Sequence, residues 1–236
     1  MTFTIKKFSL LGIGLAVLTL CGLGANPTVA ASTSSEQINS APILPTVLDL
    51  PIPFTSQAPT GNWDYVHNES CEEASALMAY LYTTGKAYPI VPVQIAEKEM
   101  ATLNAWEKKQ FGYFDDTNNA QIAQMIKDVY HLGTFVFKNF TETDLKKELL
   151  GQHAIILSID GRKLHNPHFR QPGPVHHVIV IRGYNKKGFI TNEPGTRYGN
   201  GYIYSFKTLY NAAGDWNRER KAVDTTIKEA LVITRK

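Results

Sequence analysis

Cys71 lies in the segment Ser70-Cys71-Glu72-Glu73, directly before an apolar helical pattern. Ser70 and Glu73, three residues apart, form the sequence signature of a capping box. Ser70 is therefore predicted as the N-cap and Cys71 as the first residue of the helix. Unpaired backbone N–H groups and the positive end of the helix dipole favour a thiolate there. The charges of Glu72 and Glu73 oppose this effect, and a small, buried hydrophobic residue is the alternative role for Cys71.

The second cysteine, Cys21, lies in an N-terminal segment with the three parts of a secretory signal peptide. A short basic region precedes an apolar run, and the small residues that follow fit cleavage after Ala30 or Ala31. An uncleaved membrane anchor and a lipoprotein modified at Cys21 are the alternatives. Once residues 1–31 are removed, Cys71 is the only cysteine. A single thiol in an exported chain is buried and inert, paired with another chain, or reactive.

Two adjacent histidines open an apolar strand in the run His176-His177-Val178-Ile179-Val180-Ile181. On a strand, His177 shares its side with Ile179 and Ile181, and His176 points to the opposite side. A histidine that a rigid sheet fixes at a strand end can reach a thiol on a facing helix. The alternative is that either histidine only forms a hydrogen bond at a strand edge.

A third polar position occurs where the strand Ile190-Thr191-Asn192-Glu193 runs into a Pro-Gly turn. A hydrogen-bonding side chain at this point can hold an imidazole in one tautomer. Either Asn192 or Glu193 could take that role.

The sequence predicts neither a metal site nor a cofactor. His165 and His168 are three residues apart, but Pro167 makes this segment an extended loop, and no third ligand follows at a zinc-binding spacing. These histidines are expected at the surface near a cleft. No phosphate-binding loop, dinucleotide fingerprint or haem attachment motif is present.

Composition predicts one exported domain. We expect a signal peptide at 1–31, a polar, proline-containing linker at 32–46, and a domain at 47–236. The chain has a formal charge of +3, and removal of two signal-peptide lysines leaves 22 basic against 21 acidic residues, or +1. This balance predicts neither a nucleic-acid partner nor a membrane surface. We expect a secreted or cell-surface monomer without an integral membrane domain after cleavage.

The periodicity of apolar residues changes along the chain. Helical spacing covers four segments: Ser70–Thr83, Val93–Trp106, Asn119–Tyr130, and Glu142–Leu150 with Gly151 as C-cap. Runs rich in β-formers are Thr134–Phe137, Ala154–Ile159, Val178–Ile181, Gly188–Thr191, Tyr202–Phe206 and Ala230–Thr234. Helices mostly precede strands, which predicts an α+β fold with N-terminal helices packed on a mostly antiparallel sheet.

Several segments together resemble the C-39-like peptidases, relatives of the proteases that trim double-glycine leaders from exported bacterial peptides. They are Gln57 in PFTSQ, the strand HVIVIRGYN, and an acid directly before a proline. The stretches 70–78, 166–174 and 192–204 are similar to an exported bacterial branch of that family. The resemblance covers about residues 47–236 and implies a papain-like cysteine peptidase fold.

The resemblance also implies roles for four residues. Cys71 would be the nucleophile, His177 the base and then the acid, Glu193 the group that orients His177, and Gln57 an oxyanion donor beside the Cys71 backbone N–H. Asn192 is the alternative orienting residue. Two departures are Glu72-Glu73, where many members have Gly-Pro, and Glu193, where the family usually has Asp.

The function expected from this resemblance is hydrolysis of peptide bonds in a peptide or protein substrate, through a Cys71 thiolate and His177. One alternative is an NlpC-type cell-wall amidase or transpeptidase with the same arrangement of groups. The other is a peptidase-like binding module without catalysis.

Overall fold

The computed structural model describes residues 44–86 and 88–236, and the expected signal peptide and residues 32–43 of the expected linker lie outside that part. The helices are α1 (Tyr65–Asn68), α2 (Cys71–Thr83), α3 (Val93–Phe111), α4 (Asn119–Tyr130), α5 (Glu142–Leu150) and α6 (Phe206–Ala212). The strands are β1 (Leu48–Asp49), β2 (Gly133–Lys138), β3 (Ala154–Ile159), β4 (His177–Asn185), β5 (Gly188–Asn192), β6 (Asn200–Tyr204), β7 (Asp215–Asn217), β8 (Ala222–Asp224) and β9 (Glu229–Thr234).

Among residues 44–86 and 88–236, the main sheet has seven strands. Six follow the order β2-β9-β3-β4-β5-β6, and β1 also pairs with β4. Every pairing within it is antiparallel. Strands β7 and β8 form a separate hairpin. The α+β class with a mostly antiparallel sheet is thereby confirmed.

Helices cover the centre of this sheet. Helix α2 packs on β4 and β3, α5 also packs on β3 and β4, and α4 packs on β2 and β9. All six residues of β3 are buried, so both faces of the sheet are covered at that strand. Among the described residues, no helix is long and apolar enough to cross a bilayer.

Most predicted elements are present, with differences at their ends. Helix α3 continues five residues beyond Trp106 to Phe111, and Gly112, with a φ of 86°, is its left-handed C-cap. This extension was not predicted, because the residues directly after Trp106 are polar and show no apolar periodicity. Strand β2 precedes α5, as predicted, whereas helix α6, which follows β6, was not predicted.

Strand β4 extends past Ile181 to Asn185 through an irregularity in its pairing with β5. Gly183 lies at that point, and a Cβ there would be 2.2 Å from the backbone oxygen of Leu48 in β1. A glycine is therefore needed for β1 to approach β4 this closely.

Candidate active site

Cys71 is the first residue of α2, as predicted, but the predicted capping box is wrong. The Ser70 hydroxyl does not cap the helix; it donates to the backbone oxygen of Val66 at 2.8 Å and accepts from Asn104 Nδ2 at 3.1 Å. Glu73 turns into the interior and is fully buried. The start of α2 is therefore fixed by tertiary contacts of Ser70 rather than by a local cap.

The Cys71 thiol donates a hydrogen bond to Glu72 Oε2 at 3.0 Å, and only 5% of the residue is exposed. Burial raises the pKa of this thiol well above its ordinary value, and the charge and hydrogen bond of Glu72 raise it further. The helix dipole favours the thiolate, but these effects outweigh it. In this conformation Cys71 is a protonated thiol held by a carboxylate.

His177 begins β4, and its Nε2 forms a short hydrogen bond with Glu193 Oε1. Both side chains are almost completely buried. Since Nε2 is used by Glu193, Nδ1 is the ring nitrogen left for another partner. The Phe169 ring lies nearly perpendicular to the imidazole, at 82°, with the ring centroids 5.3 Å apart.

The Glu193 carboxylate is held by further donors. The backbone N–H of Gly195 donates to Oε1 at 2.9 Å, and the Tyr204 hydroxyl donates to Oε2 at 2.8 Å. Asn166 Nδ2 in turn donates to the Tyr204 oxygen at 2.7 Å. Burial and the nearby charge of Glu193 raise the pKa of Tyr204, which keeps its hydroxyl protonated. These hydrogen bonds fix the Glu193 carboxyl group so that Oε1 faces the imidazole.

Asn192, the other candidate for orienting His177, makes its contacts elsewhere. Its Nδ2 donates to the backbone oxygens of Ile52 and Pro53, at 3.0 and 2.9 Å. Its Oδ1 accepts from Arg182 Nη1 at 3.3 Å. Asn192 thus ties the extended N-terminal segment to the sheet, and of the two candidates Glu193 is the one that contacts His177.

His176 lies in a separate buried network. Its Nδ1 is 2.9 Å from Asp116 Oδ1 and 3.5 Å from Glu72 Oε1, and its Nε2 is 2.9 Å from Ser158 Oγ. Burial favours the neutral ring, but the hydrogen bond to Asp116 and the charge of Glu72 outweigh it and raise the pKa of His176. Because Glu72 also accepts from Cys71, this network connects the thiol to a histidine other than His177.

One ligand atom each from Glu72, Asp116 and His176 lies within 4.8 Å of the others, a set that could hold a metal ion. His176 Nδ1 already pairs with both carboxyl groups, and Glu72 also accepts from the Thr117 backbone N–H at 2.9 Å. An ion-paired histidine accounts for this arrangement without a metal.

His168, one of the two loop histidines, lies at the cleft against Tyr198, with ring centroids 4.7 Å apart.

Gln57 lies in the expected segment before α2, but both hydrogens of its amide are engaged. Nε2 donates to the backbone oxygens of His67 and Asn68, at 2.8 and 2.9 Å. The backbone N–H of Gln57 donates to Pro194 O at 3.0 Å, which brings this segment beside the turn after Glu193. In this conformation Gln57 has no side-chain N–H free for an oxyanion.

A pair of buried carboxyl groups, Glu73 on α2 and Glu107 on α3, lies behind the start of α2. Burial raises the pKa of Glu73, as does the charge of Glu107. Burial also raises the pKa of Glu107 to about 7. At least one of the two therefore carries a proton at neutral pH.

A cleft of about 1070 Å³ opens beside His177, and its lining includes Gln57, Phe169, Gly195 and Tyr198. Cys71 is not among the residues that line it. Within the described part of the chain, no hydrogen bond joins the thiol to His177. The site therefore combines a buried histidine–carboxylate pair beside a cleft with a thiol that faces Glu72.

Sequence reasoning named Glu72 and His176 but not their partners, and it did not single out Asp116, Tyr204 and Asn166. Glu72 carried a signal, because its charge beside Cys71 predicted a raised pKa. His176 stands out as one of two adjacent histidines, but its partner Asp116 is 60 positions away. No local pattern marks Asp116, Tyr204 or Asn166 as part of the site.

Comparison with known proteins identifies one family. The family model described as "Peptidase_C39 like family" matches residues 49–223. A crystal structure of a C39-like protein from Bacillus anthracis is 15% identical, with coverage of 80% of this chain and 98% of that chain and a TM-score of 0.48. A comparison with curated proteins finds no match.

Proposed function

Because the chain belongs to the C39-like peptidase family, we propose that it is a cysteine peptidase with a papain-like domain at residues 47–236. The observation that carries this proposal is the buried pair of His177 and Glu193 at the start of β4. The Ser75 hydroxyl, one turn after Cys71, donates to Val178 O at 3.1 Å. This bond sets the start of α2 beside the start of β4, so the thiol and the imidazole belong to adjoining ends of two packed elements.

The reaction would be acyl transfer to Cys71. His177 Nδ1 takes the thiol proton as sulfur attacks the carbonyl carbon, and the positive imidazole is stabilised by Glu193. The carbonyl oxygen becomes an oxyanion facing the Cys71 backbone N–H and the Gln57 amide, a contribution of about 3 kcal/mol per donor. His177 then protonates the leaving amine, and water, deprotonated by His177, releases the acid and restores the thiol.

This mechanism requires two rearrangements from the conformation described. Cys71 Sγ must leave Glu72 and turn to His177 Nδ1, and Gln57 must release one of the two backbone oxygens that it binds. In this proposal, the conformation described is a resting form in which the Cys71 thiol is protonated.

Digestion of a mixed peptide library, with products identified by mass spectrometry, tests the proposal. We expect cleavage by the purified protein, and loss of cleavage in Cys71→Ala and His177→Ala at a temperature where circular dichroism shows that each variant is still folded. His177→Ala should be the less stable of the two, because it leaves the buried Glu193 carboxyl without its histidine partner. His153→Ala is the matched control, since His153 is partly exposed and pairs with Glu148 at 2.8 Å. Retained cleavage in the Cys71 or His177 variant would contradict the assignment.

A binding module without turnover is the second candidate, and the contacts of Cys71 and Gln57 favour it. The Cys71 thiol is bonded to Glu72 instead of to a base, and both hydrogens of the Gln57 amide are bonded to backbone oxygens. In this conformation the thiol is not activated for attack and the amide is not free to bind an oxyanion. Alkylation with iodoacetamide between pH 4 and 9 separates the two functions. A reaction rate that depends on His177 supports the peptidase, whereas a thiol inert in wild type and indifferent to His177→Ala supports the binding module.

The proposal extends to export of the protein to the cell surface or medium. Its support is the signal-peptide pattern at 1–31 and the polar linker at 32–46. N-terminal sequencing of the protein from an expressing culture tests this, with a new terminus expected directly after Ala30 or Ala31. A protein that retains its first residues in the cell would contradict it.

A further inference from the structure

The cleft beside His177 has an uneven charge. Two arginines, Arg170 and Arg197, are among the residues that line it, and of the described residues in that lining none is Asp, Glu or Lys. Acidic and basic residues are nearly balanced in the whole chain, at 21 against 24. The lining of the cleft therefore carries an excess of positive charge that the chain as a whole does not have.

Both arginines belong to loops that contact the imidazole. Arg170 directly follows Phe169, whose ring meets that of His177. Arg197 comes two residues after Gly195, where an added Cβ would lie 2.9 Å from His177 Cε1. The two guanidinium groups therefore belong to chain segments held next to the proposed base.

Neither arginine has an acidic partner among the described residues. Arg197 bonds to the Tyr198 hydroxyl at 2.5 Å, and its guanidinium carbon is 4.8 Å from that ring centroid. Arg162 and Arg182 provide a contrast, because each pairs with a nearby aspartate at 2.8 and 2.7 Å. The charges in the cleft are therefore open to a carboxylate from outside the chain.

The acidic residues near Cys71 do not cancel this charge. Asp116 is bonded to His176, and Asp115 lies 3.6 Å from Arg218. Glu69 is half-buried, and burial and the charge of Asp116 raise its pKa to about 7. None of these three residues lines the cleft.

We propose that the cleft selects peptides with acidic side chains near the cleaved bond, with Arg170 and Arg197 as the residues that recognise the carboxylates. This inference rests on the proposed peptidase function and names the substrate class of that same site. Peptides with lysine at the same positions are disfavoured, because both guanidinium groups repel an ammonium group.

Matched peptides test the proposal. One peptide cleaved from the mixed library is resynthesised with Glu, Gln or Lys at each position within three residues of the cleaved bond. All peptides are amidated at the C-terminus, so that the side chain is the only carboxylate that varies. We expect kcat/KM to be highest for Glu at one or more positions, by about threefold to tenfold over Gln, and lowest for Lys. The preference should shrink between 50 and 500 mM salt.

Variants assign the preference to the arginines. Arg170→Gln and Arg197→Gln should each reduce the Glu-to-Gln ratio of kcat/KM about threefold. The double variant Arg170→Glu/Arg197→Glu should prefer Lys. Arg220→Gln is the control, since Arg220 lies outside the cleft lining and pairs with Asp224 at 3.3 Å. Equal cleavage of the Glu and Gln peptides by wild type, or a preference that survives both substitutions, overturns the proposal.

A binding measurement separates failure of this inference from failure of the peptidase function. Fluorescein-labelled amidated peptides of one sequence, with two Glu, two Gln or two Lys, are titrated with wild type and with Arg170→Gln/Arg197→Gln. Tighter binding of the Glu peptide that the double variant loses supports the inference even if nothing is cleaved. Cleavage without any such preference supports the peptidase and refutes the inference.

Discussion

Glu72→Gln should release the Cys71 thiol from its protonated state. Glu72 Oε2 accepts the thiol hydrogen at 3.0 Å, and after burial the charge of Glu72 is the largest cause of the raised pKa of Cys71. Gln has nearly the same shape, and its Oε1 can still accept from the Thr117 backbone N–H. Its side-chain amide is neutral and can donate to a thiolate in place of the carboxylate oxygen.

The distance sets the expected size of the effect. Two negative charges 3.0 Å apart repel each other by about 5 kcal/mol at an effective dielectric constant of about 20. If relaxation leaves about half of that energy, the thiolate fraction rises by about a hundredfold. A more acidic thiol is a weaker nucleophile, which cancels about half of the gain on a logarithmic scale. We therefore expect alkylation at pH 7 to become about tenfold faster.

The assay is the rate of iodoacetamide labelling of Cys71, followed by mass spectrometry from pH 5 to 9. Glu73→Gln is the matched control. Because the buried Glu73 carboxyl has a raised pKa, this substitution replaces a protonated carboxyl by a neutral amide and changes the charge near the thiol little. Thermal unfolding of both variants checks that the fold is retained. A labelling rate in Glu72→Gln equal to or below that of a folded wild type would refute the account of the raised thiol pKa.

Three further predictions concern the surroundings of the site. Tyr204→Phe removes a donor from the buried Glu193 carboxylate and should lower the free energy of unfolding by about 1–3 kcal/mol, measured with urea; no change would mean that another donor replaces the hydroxyl. Gly195→Ala places a Cβ 2.9 Å from His177 Cε1 and should lower peptide cleavage at least about tenfold, because it displaces the imidazole from its aligned position; full activity would contradict this placement. Glu107 has a folded-state pKa of about 7 against an ordinary 4.5, so the stability that it contributes is present below pH 4.5 and is lost as the pH rises to about 7. Glu107→Gln should therefore nearly match wild type in urea unfolding at pH 4.5 and exceed it by about 3 kcal/mol at pH 8, and an equal difference at both values would refute this linkage.

Individual helices and strands could be predicted because the apolar periodicity and the capping or turn residues that specify them lie within each element. The bounds of α4, α5 and β3 agree with the sequence patterns, since each has a complete apolar period and a recognisable start or end. The start of α2 at Cys71 was predicted correctly, although the capping box that indicated it does not form. Ser70 makes long-range contacts instead, and these cannot be read from its immediate neighbours.

Long-range contacts determine the electrostatics of the site. The balance at Cys71 between the helix dipole and the adjacent carboxylates was left open by the sequence, because it depends on burial. Burial of the thiol and the position of Glu72 Oε2 decide it in favour of the protonated form. Asp116 is 60 positions from His176, its partner.

The sequence alone determined the α+β class, the helix that begins at Cys71, the strand that opens near His177, and the resemblance to the family whose model matches residues 49–223. It could not decide between Asn192 and Glu193, because adjacent residues at a strand end point in different directions that depend on register. The tertiary structure directs Glu193 to His177 and Asn192 to the N-terminal segment. The physical reason is that periodicity is a property of neighbouring residues. Side-chain partners and pKa values depend instead on which distant segments pack together and bury the side chains between them.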